Sequence, residues 1–191
     1  FMNYNKSINL LKNLPKKLNN FYIKNLKYAL KINNKSKNKN IYDPVTSLDR
    51  SFEKYIRHII VKEFPEDAIL GEEFLEKHSD NDYKWYVDPI DGTRAFMVGA
   101  PTWSNLIGLT YKNQSILGLA NFPALNKFYI NDQKKSYLVS NKKSILNTSK
   151  EINLKKCKVI GHLHETLFLK KNKKKIKQII SSVSYFGAAT F

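Results

Sequence analysis

The chain contains 191 residues, carries a formal net charge of +17 and is 42% hydrophobic. This length and composition exclude general disorder and fit one large domain, or one domain and part of another. The single cysteine, Cys157, excludes an intramolecular disulfide and a zinc cluster built on cysteines.

The positive charge comes almost entirely from lysine, because arginine occurs only at Arg50, Arg57 and Arg94. The lysines are spread along most of the chain, which favours solvated faces and loops. A basic nucleic-acid-binding protein is the competing interpretation, and it predicts an affinity that falls steeply with salt. Because no nucleic-acid-binding motif accompanies the charge, we expect no nucleic-acid partner.

No apolar run approaches the roughly 20 residues of a transmembrane helix, and the N-terminus lacks the apolar core of a signal peptide. We therefore expect a cytoplasmic protein with no membrane partner. A homodimer is compatible with the sequence, which carries no signal that fixes the oligomeric state.

Two helices are predicted in the first third of the chain. Residues 1–14 lack periodicity, and the first helix is expected to start at Pro15 and to bury one stripe, formed by Leu18, Phe21, Tyr22, Leu26, Ala29 and Leu30. Residues 33–40 form a Lys/Asn linker, expected to be a mobile loop. The second helix would end at Phe64-Pro65 and would bury Leu48, Phe52, Tyr55, Ile56, Ile59 and Ile60.

Short strands follow. They are predicted in the apolar run that ends at Val87 and at residues 68–70, 106–111, 116–122, 127–131 and 136–139. This succession indicates an antiparallel sheet with the helices packed on one face, which is an α+β arrangement.

The pattern changes beyond Asn141. A polar connection over residues 141–156 precedes a predicted strand, a basic helix and another strand, at residues 157–161, 173–181 and 183–186. We therefore divide the chain into an N-terminal α+β domain, residues 1–140, and the start of an α/β domain, residues 141–191.

The sequence DPIDGT, residues 88–93, follows the central apolar strand. Pro89 fixes φ and cannot continue a helix, so Asp88 and Asp91 are expected at a strand end where the backbone turns and the carboxylates converge. Mg²⁺ takes oxygen ligands, usually including one or two carboxylates. The two aspartates suit that role, and the Ile90 carbonyl is a further candidate ligand.

The residues that follow these carboxylates suit phosphate binding. Gly92 permits a close backbone approach, and Thr93 offers a hydroxyl and an amide at the start of a short helix, where free amides bind phosphate. An ordinary turn explains the same segment equally well, because Asp, Pro and Gly are common turn formers.

Two upstream segments carry further candidate carboxylates. Asp49 lies three residues after Thr46 at the start of the second helix, which resembles a capping box; alternatively its carboxylate holds a hydroxyl or a water near a metal. In Gly71-Glu72-Glu73, consecutive extended side chains point to opposite faces, so one glutamate is expected to ligate a metal and the other to orient ligands. An exposed acidic turn is the alternative for this segment.

Together, three segments resemble the inositol monophosphatase family of Mg²⁺-dependent phosphomonoesterases: GEE at residues 71–73, DPIDGT at 88–93 and DPVTSLD at 43–49. The resemblance covers about residues 15–140 well and the remainder loosely. It implies a layered αβαβα sugar-phosphatase-like fold, with the second domain incomplete.

The resemblance also implies roles for the metal-binding residues. It makes Glu72, Asp88, Asp91 and the Ile90 carbonyl the ligands of Mg²⁺, with Glu73 outside the direct ligand set. Metal ions neutralise phosphate charge and lower the pKa of bound water, and Asp88 is the natural bridging carboxylate of a paired site.

The remaining implied roles concern water and phosphate. Asp49 and Thr93 would orient and deprotonate the attacking water, and the amides of Gly92 and Thr93 would hold the phosphate of a small phosphorylated substrate. No covalent phosphoenzyme is required.

The residues after the shared motif bear on the substrate. Arg94-Ala95-Phe96, with Gly99 and Pro101-Thr102-Trp103 following, resembles the histidinol-phosphatase branch of the family and implies a role in histidine biosynthesis. Inositol 1-phosphate is the alternative substrate.

One departure from the family pattern is large. The family completes its metal site with an aspartate in a Trp-Asp-x-Ala-Ala segment, but neither Trp85 nor Trp103 precedes an aspartate, and none follows Asp132. We therefore expect a chain truncated before its last ligand, with one metal site kept, the second incomplete and activity impaired. An inactive scaffold is the alternative.

Overall fold

The computed structural model describes residues 4–26, 32–34, 44–161, 173–182 and 185–188. The chain divides into two units, residues 1–146 and residues 147–191.

Helix α1 spans Asn5–Asn25, so the prediction of a segment without periodicity up to residue 14 was wrong. Its buried residues recur at helical spacing: Ser7, Leu11, Leu14, Pro15 and Leu18. Proline inside a helix usually costs about 3 kcal/mol or more because it lacks the N–H and crowds the preceding turn. For this reason Pro15 was predicted to start a helix. In the structure Pro15 lies inside α1, among fully buried leucines.

The second half of the predicted stripe is less buried than expected. Phe21 and Tyr22 are partly buried against the core, whereas Leu26 is 56% exposed. Ala29 and Leu30 lie outside the described residues.

Two short strands, β1 at Ile32–Asn34 and β2 at Pro44–Thr46, pair antiparallel. The prediction of a linker from residue 33 was therefore wrong for the first two of its residues. Strands of three residues with asparagine and proline in them lack the β-branched pattern from which a strand is predicted.

Helix α2 spans Ser47–Glu63 and ends before Phe64-Pro65, as predicted. Its buried residues are Leu48, Asp49, Phe52, Glu53, Ile56, Ile59 and Ile60. Phe21 of α1 stacks on Tyr55 with ring centroids 4.6 Å apart and meets Phe52 at 4.9 Å. These aromatic contacts join the two helices.

Seven strands form one sheet in the order β3-β4-β5-β6-β7-β8-β9. Their bounds are Ala68–Gly71, Tyr83–Asp91, Ser104–Tyr111, Gln114–Phe122, Lys127–Asn131, Ser136–Val139 and Lys143–Leu146, with the short helix α3 at Thr93–Met97. Neighbouring pairs from β4 to β9 are antiparallel, as predicted. The pair β3 and β4 is parallel, so the sheet is mixed rather than antiparallel throughout.

One face of this sheet packs on the helices. Its buried strand residues share one hydrophobic core with α1 and α2: Trp85, Val87, Ile107, Leu109, Leu117, Leu119 and Ile130. Burying each such large side chain contributes about 1.5–3 kcal/mol. Residues between them, such as Tyr86, are more exposed and face the other way.

Strand β9 was not predicted, because residues 143–146 lie in what the sequence indicated was a polar connection. It pairs with β8 and extends the sheet of the first unit. Its two apolar residues, Ile145 and Leu146, are exposed by 51% and 38%. An edge strand with so little burial leaves a weak pattern in the sequence.

In the second unit, strand β10 at Lys158–Gly161 pairs in parallel with β11 at Tyr185–Ala188, and helix α4 at Lys173–Ser182 lies between them in the chain. This is the predicted order of strand, basic helix and strand. None of the helices in the described ranges is long and apolar enough to cross a membrane.

Candidate active site

The parallel pairing of β3 and β4 brings two carboxylates together. Gly71 at the end of β3 is in register with Val87 of β4, so the next residues, Glu72 and Asp88, lie side by side. The Glu72 amide donates a hydrogen bond to the Val87 carbonyl oxygen at 3.2 Å. Because parallel strands end at the same edge of a sheet, residues far apart in sequence meet here.

A bulge in β4 places a third carboxylate on the same side. Asp88 pairs with Leu106, and Asp91 pairs with Ser104. The chain therefore advances by three residues along β4 but by two along β5, which defines the bulge. Without the extra residue, this odd spacing would direct the aspartates to opposite faces. The predicted turn at Pro89 was wrong, because β4 continues to Asp91; proline has no N–H and is tolerated at a bulge.

Side chains hydrogen bond to the carbonyl groups of the bulge. Asn105 Nδ2 donates to the Pro89 carbonyl at 2.6 Å. Thr93 Oγ1 lies 3.1 Å from the Ile90 carbonyl and 3.4 Å from Asp49 Oδ1, so both oxygens are acceptors for its proton. Asp49 is fully buried on the first turn of α2. The side chain of Thr46, its partner in the predicted capping box, lies outside the described part.

Asp88 is the electrostatic centre of the site. Its Oδ1 atom is buried and has no hydrogen-bond partner among the described residues. Burial raises the pKa of Asp88 to about 7, with further contributions from the negative charges of Glu72 and Asp91, a hydrogen bond with Glu72 and the charge of Asp49. Crowded carboxylates of this kind favour either a proton or a cation between them.

The two adjacent glutamates point in different directions, as their extended spacing predicts. Glu72 is exposed and hydrogen bonds with Asp88. The side chain of Glu73 is only 2% exposed and lies on the α2 side, with its Oε2 3.9 Å from Arg50 Nε. The structure therefore brings Glu72 to the aspartates and places Glu73 behind it.

Gly92 ends β4 and precedes α3. Its φ of +83° is in the left-handed region that glycine adopts without strain. A Cβ atom there would meet Trp103 only at ordinary contact distances, with 3.6 Å to Cα, so the backbone angle is what calls for glycine. Helix α3 begins at Thr93, and Arg94 is exposed on it.

The acidic residues have the chemistry of a magnesium site. No group of three or more His, Cys, Asp or Glu side chains within the described ranges is already arranged to hold a metal ion. Mg²⁺ usually keeps several waters and binds carboxylates together with substrate phosphate, so side chains need not supply its whole ligand set. The buried Asp88 Oδ1 without a partner and the raised pKa of that carboxyl fit such an ion.

An open cavity of about 750 Å³ lies on the sheet face away from the core, where Tyr86, Ala120 and Tyr129 line it. It reaches Gly71 and Asp88 at one end. Asp88 therefore lies at the rim of a space large enough for a small molecule.

Sequence reasoning missed the buried polar residues that support the site. Asn121 Nδ2 donates to Asn105 Oδ1 at 2.8 Å and to Asn19 Oδ1 at 3.0 Å, which links the bulge to α1. Glu53 is fully buried on α2. One signal was available: Glu53 interrupts the apolar stripe of α2, four residues after Asp49 and three before Ile56. Asn105 and Asn121 carry no such signal, because asparagine in a strand is usually expected to face solvent.

Comparisons with known proteins identify the family of the chain. A family model described as the inositol monophosphatase family matches residues 8–189. Over 86 residues the chain is 46% identical to histidinol-phosphatase from Chlorobaculum parvum, covering 45% of this chain and 33% of the relative. Over 126 residues it is 33% identical to Nus factor SuhB from Haemophilus influenzae, covering 65% and 46%. The matched stretches span less than half the length of these relatives.

Solved structures bear on the fold. An IMPase/NADP phosphatase complexed with Mg²⁺ and phosphate aligns with a TM-score of 0.72 at 15% sequence identity. The alignment covers 94% of this chain and 65% of that chain. The predicted sugar-phosphatase-like α+β fold is thereby confirmed.

Proposed function

Because the chain belongs to the inositol monophosphatase family, we propose that it hydrolyses a small phosphate monoester with Mg²⁺ as its cofactor. The observation that carries this proposal is the convergence of Glu72, Asp88 and Asp91 where β3 and β4 end. Burial, with the negative charges of Glu72 and Asp91, raises the pKa of Asp88 to about 7. A divalent cation among these groups would stabilise their ionised forms.

The proposed ligands of Mg²⁺ are Glu72, Asp88, Asp91 and the Ile90 carbonyl oxygen. That carbonyl oxygen lies 3.1 Å from Thr93 Oγ1 and has two lone pairs, so it can bind a cation while the Thr93 proton is directed to Asp49. Glu73 supports the acidic segment from the α2 side, beside Arg50. When bound, Mg²⁺ would neutralise phosphate charge and lower the pKa of a water.

Thr93 and Asp49 are proposed to orient the attacking water and to take its proton. The Thr93 hydroxyl can accept a hydrogen bond from that water while it donates to Asp49 Oδ1, 3.4 Å away. Because Asp49 is fully buried, its carboxylate is shielded from competing solvent. The amides of Gly92 and Thr93 are proposed to hold the phosphate at the start of α3.

Histidinol phosphate is the substrate we propose first. The residues Arg94-Ala95-Phe96 after the shared motif support this choice, as does the 46% identity to a relative named histidinol-phosphatase over 86 residues. Inositol 1-phosphate is the second candidate substrate, because the matching family model is described as the inositol monophosphatase family.

The test is phosphate release from histidinol phosphate and from inositol 1-phosphate, each with and without Mg²⁺. It uses the full-length protein, because the matched stretches span less than half the length of the named relatives. Asp88→Asn is the site variant. Asp82→Asn is its matched control, since Asp82 is an exposed residue of the loop before β4.

We expect Mg²⁺-dependent release from one of the substrates, abolished in Asp88→Asn and kept in Asp82→Asn. The preferred substrate would identify the branch. A folded full-length protein that releases phosphate from neither substrate would overturn the proposal. Release that does not depend on Mg²⁺ would overturn the cofactor assignment.

A further inference from the structure

Glu53 is a buried carboxylate that the proposed reaction does not use. It lies on α2 and is fully buried. Arg57 Nε donates to its Oε1 at 2.7 Å, one helical turn away. A buried carboxylate held by an arginine and by further donors is a rigid element, because breaking the set leaves an uncompensated charge in the interior.

The further donors come from the acidic segment after β3. The Glu73 amide donates to Glu53 Oε2 at 2.6 Å, and the Phe74 amide to Oε1 at 3.3 Å. Arg57 Nη2 donates to the Phe74 carbonyl at 3.2 Å. The Glu53 and Arg57 side chains therefore hold the backbone on the C-terminal side of Glu72.

Gly71 makes room for this carboxylate. A Cβ atom on Gly71 would lie 1.9 Å from Glu53 Oε1 and 2.3 Å from its Cδ. Any side chain at this position would therefore displace the carboxylate. Glu53 therefore fills the space beside Gly71, the residue that precedes Glu72.

From these contacts we propose that Glu53 is a positioning residue for the metal site, acting through residues 71–74 to hold Glu72 against Asp88. The inference deepens the proposed function and rests on its assignment of Glu72 as a Mg²⁺ ligand. Glu53 itself does not reach the ion. Residues that orient metal ligands typically contribute roughly 10–100-fold in metal affinity.

The first test compares Glu53→Gln with Glu63→Gln in the full-length protein. Glutamine at position 53 has nearly the same size as glutamate, but it carries no charge. Its side-chain NH₂ group would face one of the two backbone amides, of Glu73 or Phe74, that now donate to the carboxylate. Glu63→Gln removes the same charge at the C-terminal end of α2, where Glu63 Oε2 lies 3.5 Å from Lys6 Nζ. Mg²⁺ affinity is measured by calorimetry, and amide exchange of Glu73 and Phe74 is measured in the metal-free protein by NMR.

We expect Glu53→Gln to weaken Mg²⁺ binding by roughly 10-fold or more and to speed exchange of both amides. Glu63→Gln should change neither. A role in folding alone would lower the melting temperature of Glu53→Gln and leave the Mg²⁺ affinity of the folded protein unchanged, and that result would overturn the inference.

The second test leaves Glu53 in place and changes the residue above it. Gly71→Ala should weaken Mg²⁺ binding in the wild-type background, because its methyl group displaces the carboxylate. In a Glu53→Ala background the space is empty, so the same change should have a much smaller effect. Equal effects in the two backgrounds would contradict the proposed coupling, whether or not Glu53→Gln folds.

Failure of the inference is distinguishable from failure of the proposed function. If the wild-type protein and Glu72→Gln bind Mg²⁺ equally or not at all, the metal assignment itself is wrong. If Glu72→Gln weakens binding and Glu53→Gln does not, the metal assignment stands and only the positioning role is overturned.

Discussion

Asn105 on β5 donates a hydrogen bond from Nδ2 to the Pro89 carbonyl oxygen, 2.6 Å away in the bulge of β4. Both residues are buried, so no water replaces the bond if the amide is removed. The side chain also accepts from Asn121 Nδ2 at 2.8 Å. Asn105 thus joins the carboxylate-bearing bulge to the interior of the sheet.

We expect Asn105→Leu to destabilise the protein by about 1–3 kcal/mol, because it leaves the buried Pro89 carbonyl without its donor and the Asn121 amide with Asn19 Oδ1 as its remaining acceptor. Urea unfolding followed by circular dichroism would measure the loss. Asn13→Leu is the control, since Asn13 is exposed and donates to the Asn9 carbonyl within α1. Equal stability of the two variants would contradict the prediction.

Thr93→Val should reduce kcat by about 100-fold or more while changing KM little, because it removes the hydroxyl proposed to pass a proton to Asp49. Thr93→Ser keeps that hydroxyl and should retain most of the activity. Thr102→Val, at an exposed position after α3, is the control for the same change elsewhere. Steady-state phosphate release measures all three, and an unchanged kcat in Thr93→Val would exclude the hydroxyl from the reaction.

The metal-free protein should lose stability as the pH rises toward neutrality. Asp88 ionises at its usual pKa of 3.8 in the unfolded chain, but its pKa is raised to about 7 in the folded protein. Between these values the folded state binds more protons than the unfolded state, so the free energy of unfolding falls with rising pH. The stabilising contribution is complete at low pH and is lost as the pH passes through the folded pKa.

Asp88→Asn cannot ionise and should show a flatter pH dependence, with higher stability than wild type at about pH 8 in the presence of a chelator. Urea unfolding at several pH values tests this expectation. Asp80→Asn changes an exposed carboxyl in the loop before β4 and should follow the wild-type curve. If Asp88→Asn followed the wild-type curve as well, Asp88 would not be the titrating group.

Asp67→Ala should be more destabilising than an ordinary surface substitution. Asp67 is 6% exposed and accepts from Trp85 Nε1 and from Asn81 Nδ2, both at 2.8 Å. Its loss leaves the indole N–H buried without an acceptor, and hydrogen bonds to charged groups contribute about 1.5–3 kcal/mol. Urea unfolding followed by tryptophan fluorescence measures the effect.

Asp82→Ala is the matched control for Asp67→Ala. Asp82 pairs with Lys112 at 3.8 Å, and its side chain is 53% exposed. An exposed pair of this kind contributes up to about 1 kcal/mol. Similar losses in the two variants would show that the bond from the indole N–H of Trp85 is not a large stabilising contact.

The elements that could be predicted from the sequence are those with a strong pattern. Helix α2 has an apolar stripe and a proline stop, and strands β7 and β8 have the predicted bounds. Helix α1 could not be placed correctly because Pro15 normally ends or starts a helix and here lies inside one. Strand β9 is largely solvent-exposed, so burial imposes little pattern on it.

The candidate site residues could be selected from sequence, but their arrangement could not. Asp88 and Asp91 were identified by residue type and spacing, yet the bulge that turns them to one side depends on pairing with β5. The parallel pairing of β3 with β4 likewise has no signal in a single segment. Glu53 and Asn105 were missed because buried polar residues are recognised by their partners, which only the folded chain reveals.

The position of β3 bears on the order in which the molecule assembles. Strands β5 and β6 are joined by a two-residue turn at Lys112 and Asn113, and such local pairs form early. Strand β3 lies at the sheet edge and reaches β4 only through the crossover of residues 72–82. Parallel pairing is slow, so we expect Glu72 to reach the two aspartates after the β5–β6 hairpin has formed. The acidic cluster is then completed late in sheet formation.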